Sequence, residues 1–139
     1  MRCAPFGPKG RPAVVRLRAM TWDHARGIDP MIATSAAYAA LHPGVEIIWE
    51  KRSLQAFADL PISAMAETYD LMVIDHPHVG EVAKQGNLLA LDGLRDGEMA
   101  ALAAGSVGLS HPSYNFAGRQ WSLAIDTATP VACLRPDRL

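Results

Sequence analysis

Two short clusters of polar and aromatic residues have the composition of a site for a polar ligand. The first places an aromatic ring, a carboxylate, an imidazole and a guanidinium within five positions, at Trp22, Asp23, His24 and Arg26. The second begins with Asp75 and His76. A flat ring can stack on a ligand while the charged and polar groups exchange hydrogen bonds with its hydroxyl groups. A polyol or a sugar ring requires this mixture of groups.

The first cluster also has a purely structural interpretation. Trp22 could cap the hydrophobic core at the end of a strand, as a large aromatic side chain often does. Arg26 could form a surface ion pair with Asp23 or Asp29, and such pairs add little to stability. Both interpretations stay open at this point.

The second cluster has catalytic and metal-binding alternatives. Asp75 and His76 could act as a base and its partner in a small α/β enzyme. Carboxylate and imidazole groups also bind zinc, and His78 follows closely. However, His-Pro-His lacks the i, i+4 spacing of a helical zinc pair, so we expect no metal site.

Recognised catalytic motifs are missing from the sequence. It contains no GxSxG elbow, no GxxxxGK[ST] phosphate loop and no GxGxxG motif after the first predicted strand. Its two cysteines, Cys3 and Cys133, do not form a CxxC pair, which argues against a disulfide framework or a zinc site. We therefore expect a binding protein without catalytic activity and without a cofactor.

Composition narrows the class of protein further. The chain has 139 residues, of which 50% are hydrophobic and 19% charged, as expected for one folded domain. A net charge of -1 gives no field that would attract nucleic acid, and no apolar stretch is long enough to span a membrane. Residues 1–12 are rich in proline and glycine, so we predict a flexible tail without an apolar signal sequence. The folded domain is predicted to cover residues 13–139.

Alternating strands and helices would position the two clusters. Val14–Met20 and Val45–Trp49 are predicted to be strands because their apolar residues alternate. Pro30–Leu41 is predicted to be the helix between them, with Asp29 as its N-cap. The apolar run Leu71–Ile74 has the pattern of a central parallel strand that is buried on both faces.

The second half of the chain is predicted to contain further helices and one hairpin. Gly86 would end one of the helices, and Ala117 with Gly118 would form the hairpin turn. The second arm of the hairpin would run from Gln120 to Asp126, which places Asp126 at a strand end. The predicted helices are Ser53–Asp59, Ile62–Tyr69, Val79–Gln85 and Glu98–Ala104.

This order of elements predicts an α/β fold with an open, mostly parallel sheet and helices on both faces. In such folds, ligands bind beyond the carboxyl ends of the strands. Trp22, Asp23, His24 and Arg26 follow the first predicted strand, and Asp75 and His76 follow the third. Asp126 follows the late strand. The sequence therefore predicts that these seven residues form a ligand site.

Three stretches resemble the amino-terminal lobe of family 1 extracellular solute-binding proteins. They include LHPGVEIIWE, which is similar to the entry to that family's second strand, and YDLMVID, which is similar to its third strand. AIDTATP resembles the stretch that leads toward the hinge between two lobes. The resemblance extends over nearly everything after Arg16, and it implies a single lobe of the type II periplasmic-binding-protein fold.

The resemblance also implies a function and a setting. Members of this family bind a small solute, often a sugar, between two lobes and deliver it to the permease of an ABC transporter. We expect the same seven residues to contact the solute and the chain to end near the hinge crossing. Apolar surface near Ile125 and Val131 would then favour self-association. The resemblance implies a periplasmic location, while the missing signal sequence leaves open a cytoplasmic sensing module that reuses the lobe.

Overall fold

The computed structural model describes residues 14–53, 55–56, 60–128 and 133–138. The predicted tail, residues 1–12, lies outside these ranges, as do residues 54 and 57–59 of the predicted helix Ser53–Asp59, and Val131. The chain divides into two compact units. The first comprises residues 1–60 and 67–74, and the second comprises residues 61–66 and 75–139.

A parallel three-stranded sheet forms the first unit. β1 (Val15–Trp22) pairs with β2 (Val45–Arg52) and with β3 (Leu71–Met72), giving the order β2-β1-β3. Ala19, Met20 and Thr21 in the middle strand are fully buried. The mixed α/β class with a parallel sheet, predicted from the sequence, is confirmed.

The position of the third strand differs from the prediction. Leu71–Ile74 was expected in the centre of the sheet, but β3 is two residues long, pairs only with β1 among the described strands, and leaves Leu71 39% exposed. The central strand is β1, even though it carries Arg16 and Arg18. Both arginines form ion pairs across the sheet, to Glu46 at 2.8 Å and to Glu50 at 2.7 Å. Pairing on a neighbouring strand is what allows charged side chains to occupy a central strand.

Helix α1 (Ala25–Leu41) begins five residues before the predicted start. Its N-cap is His24, whose Nδ1 accepts a hydrogen bond from the backbone N–H of Arg26 at 3.1 Å. The prediction placed Pro30 at the first helical position, where proline is most common, but it lies inside the helix. The predicted end at Leu41 is confirmed.

Two hydrogen bonds join α1 to the sheet. The indole Nε1 of Trp49 in β2 donates to the hydroxyl of Ser35 at 2.8 Å. The hydroxyl of Thr21 in β1 lies 3.3 Å from the carbonyl oxygen of Gly27. Because Thr21 is fully buried, this bond satisfies a polar group that burial would otherwise penalise.

Short helices and one hairpin build the second unit. Its helices are α2 (Ile62–Ala66), α3 (Val79–Gln85) and α4 (Asp96–Gly105). Gly86 ends α3 with φ of 64°, as predicted. Three further one-turn 3-10 helices span His76–His78, Pro112–Tyr114 and Pro136–Arg138. None of the helices in the described ranges has the length and apolar character needed to cross a lipid bilayer.

The predicted hairpin is present but shorter than expected. Strands β4 (Asn115–Phe116) and β5 (Arg119–Gln120) pair antiparallel, and Ala117 and Gly118 form the turn with φ of 54° and 76°. The second arm was predicted to continue to Asp126, but residues 121–128 are not strand. Beyond the hairpin, the carbonyl of Ser122 accepts a hydrogen bond from the side-chain amide of Gln120, which also donates to the carbonyl of His111.

Candidate solute-binding residues

Trp22 is the last residue of β1 and lies against the first turn of α1. Its side chain is half-buried. A β-carbon built on Gly27 would approach the indole Cδ2 to 2.6 Å and the carbonyl oxygen of Trp22 to 2.8 Å. Only a glycine permits so close an approach, because observed β-carbon contacts are almost never shorter than 3.0 Å. Gly27 thus fixes the position of the ring on which a ligand could stack.

Asp23 follows Trp22 and is held by β2. Its backbone N–H donates to the carbonyl oxygen of Arg52 at 2.7 Å, and its carboxylate forms an ion pair with Lys51 at 2.7 Å. Both side chains are about half exposed. Such an exposed pair contributes little free energy, so a ligand hydroxyl could replace the lysine at small cost.

His24 and Arg26 belong to the start of α1 rather than to a loop. The ring of His24 uses Nδ1 to cap the helix. Arg26 lies in the first helical turn, and both side chains are exposed. The helix therefore fixes the backbone of both residues, which the sequence had assigned to an irregular connection.

Asp75 and His76 lie at the start of the 3-10 helix in the second unit. The carboxylate of Asp75 accepts a hydrogen bond from the backbone N–H of His76 at 2.9 Å and so caps this helix. The Nε2 atom of His76 lies 3.1 Å from the carbonyl oxygen of Ser113. The ring also contacts Tyr114 edge-on, with 5.1 Å between centroids.

Tyr114 links Asp75 and Asp126 electrostatically. Partial burial raises the pKa of its phenol, and the negative charges of Asp75 and Asp126 raise that pKa further. The charges of Asp75 and Asp126 thus both act on the phenol of Tyr114, and the ring of His76 contacts the same residue. The phenol stays protonated across the physiological pH range and can donate a hydrogen bond.

Sequence reasoning did not include Tyr114 among the candidate site residues. The structure places it at the end of a 3-10 helix immediately before β4. No local signal distinguishes it, because its neighbours Asp75 and Asp126 are distant along the chain. The seven predicted site residues divide between the units: Trp22, Asp23, His24 and Arg26 lie in the first, and Asp75, His76 and Asp126 in the second.

The described contacts of Asp75 and His76 differ from those of an acid–base pair. The Asp75 carboxylate bonds to the backbone of His76, while the ring of His76 contacts Ser113 and Tyr114. Within the described ranges, no three histidine, cysteine or carboxylate side chains are grouped as a metal would require.

Comparison with known proteins identifies the fold. No family model matches the sequence, and no curated protein matches it. A solved structure does match: extracellular solute-binding protein family 1 from Alicyclobacillus acidocaldarius subsp. acidocaldarius DSM 446, with a TM-score of 0.59 and 22% identity. The chain has the fold of part of that solute-binding protein. The match covers 80% of this chain and 28% of the other, so the chain spans little more than a quarter of it.

The shared fold confirms the architecture that the sequence resemblance implied. The match to a family 1 solute-binding protein agrees with the family named from LHPGVEIIWE, YDLMVID and AIDTATP. The neighbour is described as a binding protein and not as an enzyme. At 22% identity the similarity supports a shared fold only. Any statement about function depends on the residues described above.

Proposed function

We propose that this chain binds a small polar solute, specifically a sugar, as part of the substrate-binding component of an ABC transporter. The observation that carries the proposal is the grouping of Asp75, His76 and Tyr114, in which the ring of His76 contacts Tyr114 edge-on with 5.1 Å between centroids and the charge of Asp126 acts on the same tyrosine. Two carboxylates supply hydrogen-bond acceptors, and a protonated phenol supplies a donor. Sugar hydroxyl groups both donate and accept, so this combination suits them. The fold shared with an extracellular solute-binding protein supports the same function.

The segment at the end of β1 contributes the stacking surface in this proposal. The half-buried ring of Trp22 would cover the apolar face of a sugar, as aromatic rings do in many polar-ligand sites. Asp23, His24 and Arg26, all exposed, would contact hydroxyl groups. The proposed ligand-binding residues of the first unit are Trp22, Asp23, His24 and Arg26. Those of the second unit are Asp75, His76, Tyr114 and Asp126.

The proposed setting follows from the shared fold. We propose that residues 13–139 act as one lobe of a binding protein located outside the cytoplasm and that a membrane permease receives the solute. Ile125 is 46% exposed, and apolar surface of this kind can drive association between copies. We therefore also propose that copies of the chain associate through the surface around Ile125.

Tryptophan fluorescence offers a test of the role of Trp22. A panel of neutral mono- and disaccharides is titrated into the protein, and a sugar that binds is expected to change the emission. Trp22→Phe should weaken binding by about 10-fold because it removes part of the stacking surface. Trp49→Phe is the matched control, since Trp49 bonds to Ser35 inside the first unit. Equal sugar affinity in Trp22→Phe and the unaltered protein would show that Trp22 does not contribute to sugar binding.

A further inference from the structure

A cleft of about 390 Å³ opens in the second unit, lined by residues of α4 and of the hairpin. Its apolar wall consists of Met99, Ala100 and Ala103 on α4. Its polar residues include Asp92, His111 and Asn115. None of these six residues belongs to the proposed solute-binding set. The volume suits a small ligand at the lower end of the usual range.

A rigid set of hydrogen bonds holds the floor of the cleft. The carboxylate of Asp92 accepts from the backbone N–H of Gln120 at 3.0 and 3.2 Å, and Arg119 lies 3.4 Å from it. The side chain of Gln120, which is 6% exposed, donates to the carbonyl groups of His111 and Ser122. The cleft is therefore preformed, which lowers the entropic cost of binding.

Two polar side chains in the cleft have unused hydrogen-bonding capacity. Within the described ranges, the amide of Asn115 and the imidazole of His111 form no side-chain hydrogen bond or ion pair. An asparagine amide offers both a donor and an acceptor, and an imidazole offers at least a donor. These groups complement a ligand that carries a donor and an acceptor side by side, as a carboxamide does.

The apolar wall of the cleft and the charges beside it limit the class of ligand that can bind there. The thioether of Met99 favours contact with an aromatic ring, and Ala100 and Ala103 leave room for a flat one. Asp92 and Arg119 form an ion pair at 3.4 Å, so their charges offset each other beside the cleft, which favours a neutral ligand. We propose that this cleft binds a small neutral molecule in which a carboxamide is attached to a flat ring.

Benzamide is the probe for this site, and benzoate is its anionic counterpart. In NMR titrations of the isotopically labelled chain, benzamide should shift the side-chain amide of Asn115 and the methyl group of Met99. Benzoate should bind at least about 10-fold more weakly, because Arg119, the cation beside the cleft, is already paired with Asp92. The absence of benzamide shifts at Asn115 and Met99, or equal affinity for benzoate, would overturn the proposal.

Three variants test whether benzamide binds in the cleft rather than elsewhere on the protein. Asn115→Leu removes the donor and the acceptor, and Ala103→Phe fills the space without removing a group; each should weaken benzamide binding by about 10-fold or more. Leu102→Ala is the control, because Leu102 lies on the same helix, is exposed and does not line the cleft. Unchanged affinity in a folded Asn115→Leu protein contradicts the proposal. Sugar binding should be unaffected by Ala103→Phe, so this test and that of the proposed function fail independently.

Discussion

The indole ring of Trp22 lies directly against Gly27, so close that a methyl group at Gly27 would come within 2.6 Å of ring carbon Cδ2. The same methyl group would lie 2.8 Å from the carbonyl oxygen of Trp22, at the end of the central strand. At the start of α1, the backbone N–H of Gly27 also donates to the carbonyl oxygen of His24 at 2.9 Å. The contact couples the proposed stacking surface to the fold.

Gly27→Ala tests this contact. We expect a loss of about 1–3 kcal/mol in the free energy of unfolding, measured by urea denaturation, because the site is overpacked. Gly44→Ala is the control, since a β-carbon there meets no atom within 4 Å. Its effect should stay within about 0.5 kcal/mol or be slightly stabilising. A Gly27→Ala protein as stable as Gly44→Ala would show that the close approach does not constrain the ring.

The hairpin turn allows a substitution that should raise stability. Ala117 has a left-handed φ of 54°, which costs a residue with a β-carbon about 1–2 kcal/mol. Ala117→Gly should therefore increase the free energy of unfolding by about 1 kcal/mol, as measured by thermal melting. Gly118→Ala, at φ of 76°, should lower it by a similar amount. The same sign of change in both variants would contradict this interpretation of the turn.

Glu50 is predicted to titrate below its ordinary range. Hydrogen bonds from Arg18 and then from Tyr69 lower the pKa of its carboxyl group. A lowered folded-state pKa stabilises the protein above the unfolded-state value of about 4.3, and this contribution is lost as the pH falls through the folded-state value. NMR titration of the glutamate side chains measures the pKa directly.

Substitutions around Glu50 separate the causes of its lowered pKa. Arg18→Met should raise the pKa of Glu50 most, and Tyr69→Phe should raise it less, because the hydroxyl of Tyr69 donates to Glu50 at 2.8 Å. Arg16→Met is the control, since Arg16 pairs with Glu46 instead. If Arg16→Met raises the pKa of Glu50 as far as Arg18→Met does, the direct bond is not the cause.

Tyr114 should ionise above the ordinary tyrosine pKa of about 10. The largest cause is burial, followed by the charges of Asp75 and Asp126. Asp75→Asn and Asp126→Asn should each lower the pKa of Tyr114 in an NMR titration of labelled tyrosine, with Tyr114→Phe used to assign the signal. Ionisation of Tyr114 costs stability as the pH rises through its folded-state pKa. An unchanged pKa of Tyr114 in both asparagine variants would show that the two carboxylates do not act on the tyrosine.

Local patterns predicted those elements whose ends are marked by local chemistry. Gly86 ends α3 because it adopts a left-handed conformation, and the turn at Ala117 and Gly118 is marked by its glycine and by the aromatic residues Phe116 and Trp121 on its two sides. The alternation in β2 agrees with the partial burial of Val45, Ile47 and Trp49, although Glu50 and Arg52 are also partly buried. The start of α1 was missed because a histidine caps it, and histidine is a weaker cap signal than the Asp29-Pro30 pair farther along.

Non-local pairing explains the remaining differences. Whether a strand is central or lies at an edge depends on partners, and the ion pairs of Arg16 and Arg18 with β2 could not be read from the local sequence of β1. The environment of Tyr114 likewise depends on Asp75 and Asp126, which are separated from it along the chain. The seven candidate residues could be proposed from the sequence, but the contacts of Tyr114 could not.

Calorimetric titration of the 139-residue chain with a panel of neutral sugars tests the central claim most directly. We expect at least one sugar to bind with a dissociation constant of about 1 mM or tighter, with Asp126→Asn weakening that binding by about 10-fold. Asp137→Asn is the matched control, because Asp137 is exposed and pairs with Arg135. The account is contradicted if no sugar binds at about 10 mM, or if Asp126→Asn binds as tightly as Asp137→Asn.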